Sequence, residues 1–238
     1  MLGFAAIPAA GNFMGGLVAE LTDPSPRRLS IALHLAVGIV LGVVAVEALP
    51  RALETERPYV MTAAVAVGGL AYVGLDRAVD AARRRWGSGG EGQGPWMIYS
   101  AVAVDLLADG ILIGSGSAIG TSLGLVLALG QVIADAPEGF ATIGALRKTK
   151  LSRPKRLALA SAFLVPALLG AAVGFVALRA QPEWMRVAAF VAAAGLLMTA
   201  TVEDMVREAH EPEHRVFDSV ALVLGFCGFM LLSTVLGS

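Results

Sequence analysis

The chain has 238 residues, of which 56% are hydrophobic and 16% charged, with a mean hydropathy of +0.73 and a formal net charge of −1. A soluble domain carries about 25% charged residues and cannot hide this much apolar surface, so the composition excludes a water-soluble globule. The near-neutral charge, with no basic patch interleaved with aromatics, argues against a nucleic-acid partner. The single cysteine, Cys227, excludes an internal disulfide and a cysteine metal cage, and reads as a small core residue.

In chain order, apolar runs long enough for a hydrocarbon core of ~30 Å lie near residues 2–20, 30–50, 58–76, 97–117, 119–146, 156–178, 184–202 and 216–236. The first contains Asn12 and several glycines. It lacks a basic n-region and an early cleavage site, so it reads as a helix and not a signal peptide. The fifth is long enough to tilt or to run past the membrane surface. The expected fold is an all-α integral membrane protein with eight transmembrane helices, residues 1–238 forming one transmembrane domain. Residues 78–96, with the glycine-rich stretch Gly87–Gly94, are expected to be a flexible linker, and residues 147–156 a basic loop.

Charge supports the count. Arg27 and Arg28, Arg77 and Arg83–Arg85, the basic residues from Arg147 to Arg156, and Arg207 and Arg215 all fall in alternate loops. They are fourteen of the eighteen Lys and Arg. By the positive-inside rule these loops are cytoplasmic and both termini extracytoplasmic, in a plasma membrane or the inner membrane of a Gram-negative cell.

Span two ends in Gly38…Glu47…Glu54 and span seven in Gly195…Asp204…Glu211, matched at a constant offset. Spans one and six share a Pro-then-Gly pattern, Pro8 and Gly11 against Pro166 and Gly170. Spans one to three and six to eight would then be repeats that cross the membrane in opposite directions. Inverted repeats of this kind build secondary transporters, with the substrate site near the midplane.

The chemistry lies in spans four and five, between the repeats. Asp105 and Asp109 are four residues apart and share a helical face, as do Asp135 and Glu138 at a spacing of three. An acid at a helix centre costs roughly 2.5–3.5 kcal/mol on insertion scales, so these four must face protein or water. No Lys or Arg lies in either span's core to neutralise them. A bound divalent cation would do so, with Asp105, Asp109, Asp135, Glu138 and Gln131 as its ligands. Pro137 lacks an N–H, which frees the Ile133 carbonyl as a further candidate ligand. Gly110 and Gly139, each following an acid, let two helices approach, and Asp109 and Glu138 are expected to face each other there. The bland alternative is that the acids hold protons and hydrogen-bond across helices as packing glue. Glu47, Glu203 and Asp204 read as solvated interfacial acids and His34 as an interfacial residue. His210 and His214 read as part of a polar loop.

These residues resemble the Zrt/Irt-like (ZIP) family of divalent metal transporters over essentially the whole chain. Span four of that family carries His-Asn-x-x-Asp-Gly. Here Asp105 stands for the histidine, Leu106 for the asparagine, and Asp109-Gly110 matches. Span five carries His-Glu-x-Pro-Glu-Gly, where Ala134 and Asp135 stand for the first two residues and Pro137-Glu138-Gly139 matches. Val165 precedes Pro166 where the family often has a glutamate. The resemblance implies an elevator-like movement of spans one, four, five and six, a homodimer, and a divalent metal as substrate, with no cofactor. The missing histidines favour manganese, iron(II) or magnesium over zinc. A non-transporting relative with a structural or regulatory carboxylate cluster is the alternative. No nucleophile–base pair or phosphate loop points to an enzyme, and an intramembrane aspartyl hydrolase would need Tyr-Asp and Gly-x-Gly-Asp motifs that are missing here.

Overall fold

The computed structural model describes residues 2–22, 25–86, 95–205 and 216–236. Eight helices in it are long and apolar enough to cross a membrane, and no strand occurs among the described residues. We number them by span. α1 is Leu2–Leu21. α2 is Pro26–Gly42, continued by a π-helical turn, Val43–Ala48, and Leu49–Leu53. α3 is Pro58–Trp86, α4 Pro95–Ile119 and α5 Thr121–Arg147. α6 comprises Arg153–Ala162 and Leu164–Leu178, α7 is Glu183–Ala200 with a π-helical turn Thr201–Met205, and α8 is Val216–Leu236.

The chain signals its own helix ends. Ser25 accepts the Arg28 amide and Pro26 fills the first position of α2, where a missing N–H costs nothing. Gly120 alone separates α4 from α5. α3 continues to Trp86, so residues 78–86, expected in a linker, are helical. The Gly87–Gly94 stretch and the loop with His210 and His214 lie outside the described residues.

In a bilayer, apolar side chains gain nothing by leaving lipid, so helices associate by close van der Waals contact through small residues. Four pairs do so here. Gly11 and Gly15 of α1 meet the α5 backbone at Val132 and Ala136, and Gly139 of α5 meets Asn12. Gly110 and Gly114 of α4 interlock with Gly170 and Gly174 of α6. Gly38 and Gly225 join α2 to α8, and Gly68 and Gly195 join α3 to α7. In each pair the contacts advance together along both helices, so the partners are parallel.

Exchanging α1 with α6, α2 with α7, α3 with α8 and α4 with α5 turns each pair into another pair. The two π-helical turns fall at corresponding points of α2 and α7. The inverted repeat is therefore present in the packing as well as in the sequence pattern.

The α1–α5 and α4–α6 pairs pack on each other, and the α2–α8 and α3–α7 pairs join them through α2 on α5 and α7 on α4. On the face carrying the basic residues, Arg147 donates to the Ala19 and Thr22 carbonyls at 2.7 and 3.0 Å. Arg156 grips Glu20 with two nitrogens, at 2.5 and 2.9 Å, which ties α1, α5 and α6 together. Between the pairs, side chains make much of the contact: Ile39, Val43, Leu112, Leu127, Phe190 and Phe229 belong to the main core. Two positions differ from expectation. Cys227 is exposed on α8, not in the core, and His34 is buried against protein.

A Cβ added at Gly15 would run into the Ala136 carbonyl, whereas one at Gly144 meets nothing. Gly15→Ala is therefore expected to destabilise by about 1–3 kcal/mol, as overpacked sites do. Gly144→Ala should be neutral or slightly stabilising, because alanine is the better helix former. Thermal unfolding in detergent reads the difference; equal melting temperatures would mean that the glycine contact does not hold α1 to α5.

Candidate metal centre

α4 and α5 form an antiparallel hairpin about Gly120. Gly124 packs on Ser117, Gly116 on Leu123 and Leu127, and two turns further in the Gln131 side-chain nitrogen donates to Asp109 Oδ1. The same register sets Asp105 level with Asp135. Asp109 is 1% exposed, Gln131 1% and Asp135 2%, while Asp105 and Glu138 are half-buried.

Three of the buried oxygens, Asp109 Oδ2, Gln131 Oε1 and Asp135 Oδ2, have no hydrogen-bond partner among the described residues. A buried acceptor left unsatisfied costs about 1–3 kcal/mol, more when charged, so native proteins seldom leave several side by side.

Glu138 lies one turn beyond Asp135 on the same helix. It lies seven residues beyond Gln131, about 10 Å along the helix, and accepts from Asn12 Nδ2 of α1 at 3.4 Å. Asp109 and Glu138 therefore do not face each other, contrary to the expectation from their shared acid–glycine pattern. Gly110 admits α6 and Gly139 admits α1, so each glycine serves a different neighbour. Among the described residues no three His, Cys, Asp or Glu side chains converge as a metal-holding group. Asp109 is held by the Gln131 amide and Glu138 by the Asn12 amide.

The substituted family positions are placed as follows. Leu106 is fully buried against Val102, Phe163 and Ala167, and Ala134 lies in the main core. Val165 is 57% exposed. α5 runs unbroken through Pro137, and the Ile133 side chain is exposed on its outer face.

Two features were not read from the sequence. Asn12 was visible only as a lone polar residue in an apolar span. Glu47 is not solvated: it is 4% exposed, held by Arg51 and by the Ser233 hydroxyl of α8. It lines a cavity of about 290 Å³ that Ser122, Leu123 and Thr234 share. Glu203 is exposed, as expected of an interfacial acid, and the Asp204 side chain lies outside the described set.

An eight-helix bundle in an inverted repeat, with oxygen donors buried in its central hairpin, is a multi-pass membrane protein of the transporter class. The family described as ZIP Zinc transporter matches residues 88–235, more than half of the chain, and the chain belongs to that family of divalent metal transporters. No curated protein matches it.

Asp135→Asn keeps the side chain's shape but removes a buried acid beside Asp105 and Asp109. With a chelator present, it is expected to raise the melting temperature by a few degrees. A fall would show that the carboxyl group is a structural hydrogen-bonding partner.

Proposed function

We propose that the protein moves a divalent cation across the membrane by alternating access. Asp105, Asp109, Gln131 and Asp135 are its central oxygen ligands, and Glu138 is the ligand nearer the basic face. The observation that carries this reading is the set of buried, unpartnered oxygens on Asp109, Gln131 and Asp135. A dication supplies the positive charge that crowded carboxylates in a low-dielectric interior need. The set contains oxygen and no imidazole, so it suits manganese, iron(II) or magnesium better than zinc. Binding draws in side chains now held by Gln131 and Asn12.

The group α1, α4, α5 and α6, braced by Arg147 and Arg156, shifts against α2, α3, α7 and α8 along the side-chain core. The protein works as a homodimer in the plasma membrane, with the basic face cytoplasmic and both termini outside. The cation is substrate, and no resident cofactor takes part.

Uptake by proteoliposomes tests this reading. The parent should take up manganese or iron(II), with zinc the weaker competitor, and Asp109→Asn should abolish most uptake while remaining folded and inserted. Parent-like uptake by Asp109→Asn contradicts the proposed ligand role. Metal-dependent stabilisation without uptake by the parent would instead identify a non-transporting member with a regulatory site.

Orientation has its own check, in a Cys227→Ala background. Ser238→Cys should label from outside intact cells and Lys150→Cys only after permeabilisation; the reverse pattern would invert the scheme.

A further inference from the structure

We infer that Asn12 of α1 belongs to the cation site, its side-chain oxygen serving as a neutral ligand and its amide nitrogen aiming Glu138. The inference rests on the transport reading above and names a third helix that contributes to the site. Asn12 is 1% exposed, in a helix whose other buried residues are all Ala, Gly or Pro. Its Nδ2 donates to Glu138 Oε2 at 3.4 Å, while its Oδ1 is buried without a partner among the described residues. The orientation of the amide follows from chemistry: an ionised carboxylate only accepts, so the NH₂ end faces Glu138 and the oxygen points elsewhere.

The position is built by the packing of the two helices. α1 and α5 run parallel, with Gly11 against Val132 and Gly15 against Ala136, which sets Asn12 level with the Asp135–Glu138 turn. Gly139 has no side chain, and the Asn12 carbonyl occupies the space a Cβ would take. The Asn12 side-chain Oδ1, a different atom from that backbone carbonyl, is buried and unpartnered like the oxygens of Asp109, Gln131 and Asp135.

Amide oxygens are neutral, hard ligands of the kind found in calcium and manganese sites. An amide from α1 raises the oxygen count without adding a further negative charge. Loss of a hard ligand should then weaken a hard ion more than a soft one.

The test is metal-dependent thermal stabilisation of the full chain in detergent, with manganese and with cadmium, for the parent, Asn12→Ala and Asn12→Asp. Asn12→Ala is expected to raise the manganese concentration for half-maximal stabilisation about tenfold or more, as losing a metal-site partner does. The cadmium value should move much less, and Asn12→Asp should bind manganese at least as tightly as the parent. An unchanged manganese value in Asn12→Ala overturns the inference. Equal losses for both ions, unrelieved by Asn12→Asp, also overturn it, since they would mark a purely structural role. Should Asn12→Ala not fold, the isosteric Asn12→Asp decides alone: weaker manganese binding than the parent's contradicts a ligand. A parent that neither metal stabilises would defeat the transport reading itself, and Asn12 with it. A parent that binds beside an indifferent Asn12→Ala defeats only the inference.

Discussion

Placing an acid at the centre of a hydrocarbon layer costs about 2.5–3.5 kcal/mol on insertion scales, and Asp109 and Asp135 are almost wholly buried. Neither can be left to lipid or to its like-charged neighbour, so the remaining architecture has to answer for them. Amides answer in part. Gln131 donates to Asp109, and Asn12 donates to Glu138. Each amide brings an oxygen as well as a nitrogen, so satisfying a carboxylate in this way leaves a further buried acceptor. The bundle thereby collects oxygens faster than it collects donors, and in the proposed reading a cation resolves the surplus.

The glycines make that arrangement reachable. Without a hydrophobic drive between helices, the four parallel pairs depend on direct backbone contact, and each pair is secured by glycine on both sides. Between the pairs the contact is made largely by side chains of the main core. Phe229 lies over Gly130; in the proposed movement such side chains would repack, whereas interlocked backbones would move as one. The π-helical turns sit where the repeat places them. That of α2 carries Glu47 to Ser233 and Arg51 beside a cavity, in keeping with the tendency of such turns to occur at functional sites.

The eight spans were legible in the sequence because length and hydropathy are one-dimensional quantities. The repeat was legible because Glu47 and Asp204 keep a constant offset. Rotation about each helix axis was not legible. Gly110 and Gly139 look alike in the sequence yet turn to α6 and α1, so the inference that Asp109 faces Glu138 failed. Glu47 looked interfacial because its partner Ser233 is 186 residues away. His34 and Cys227 exchanged their expected environments for the same reason: hydropathy says that a residue is in the membrane, not which side of its helix meets protein.

The central claim is that a divalent ion sits among buried oxygens of α1, α4 and α5. X-ray absorption at the manganese edge, on purified protein loaded with one equivalent of manganese, tests it most directly. The account predicts a first shell of oxygen alone, with no imidazole outer-shell scattering, that is lost in Asp109→Asn. An imidazole signature would contradict it by placing the ion at His34, His210 or His214. An unchanged spectrum in Asp109→Asn would place the ion away from the central hairpin.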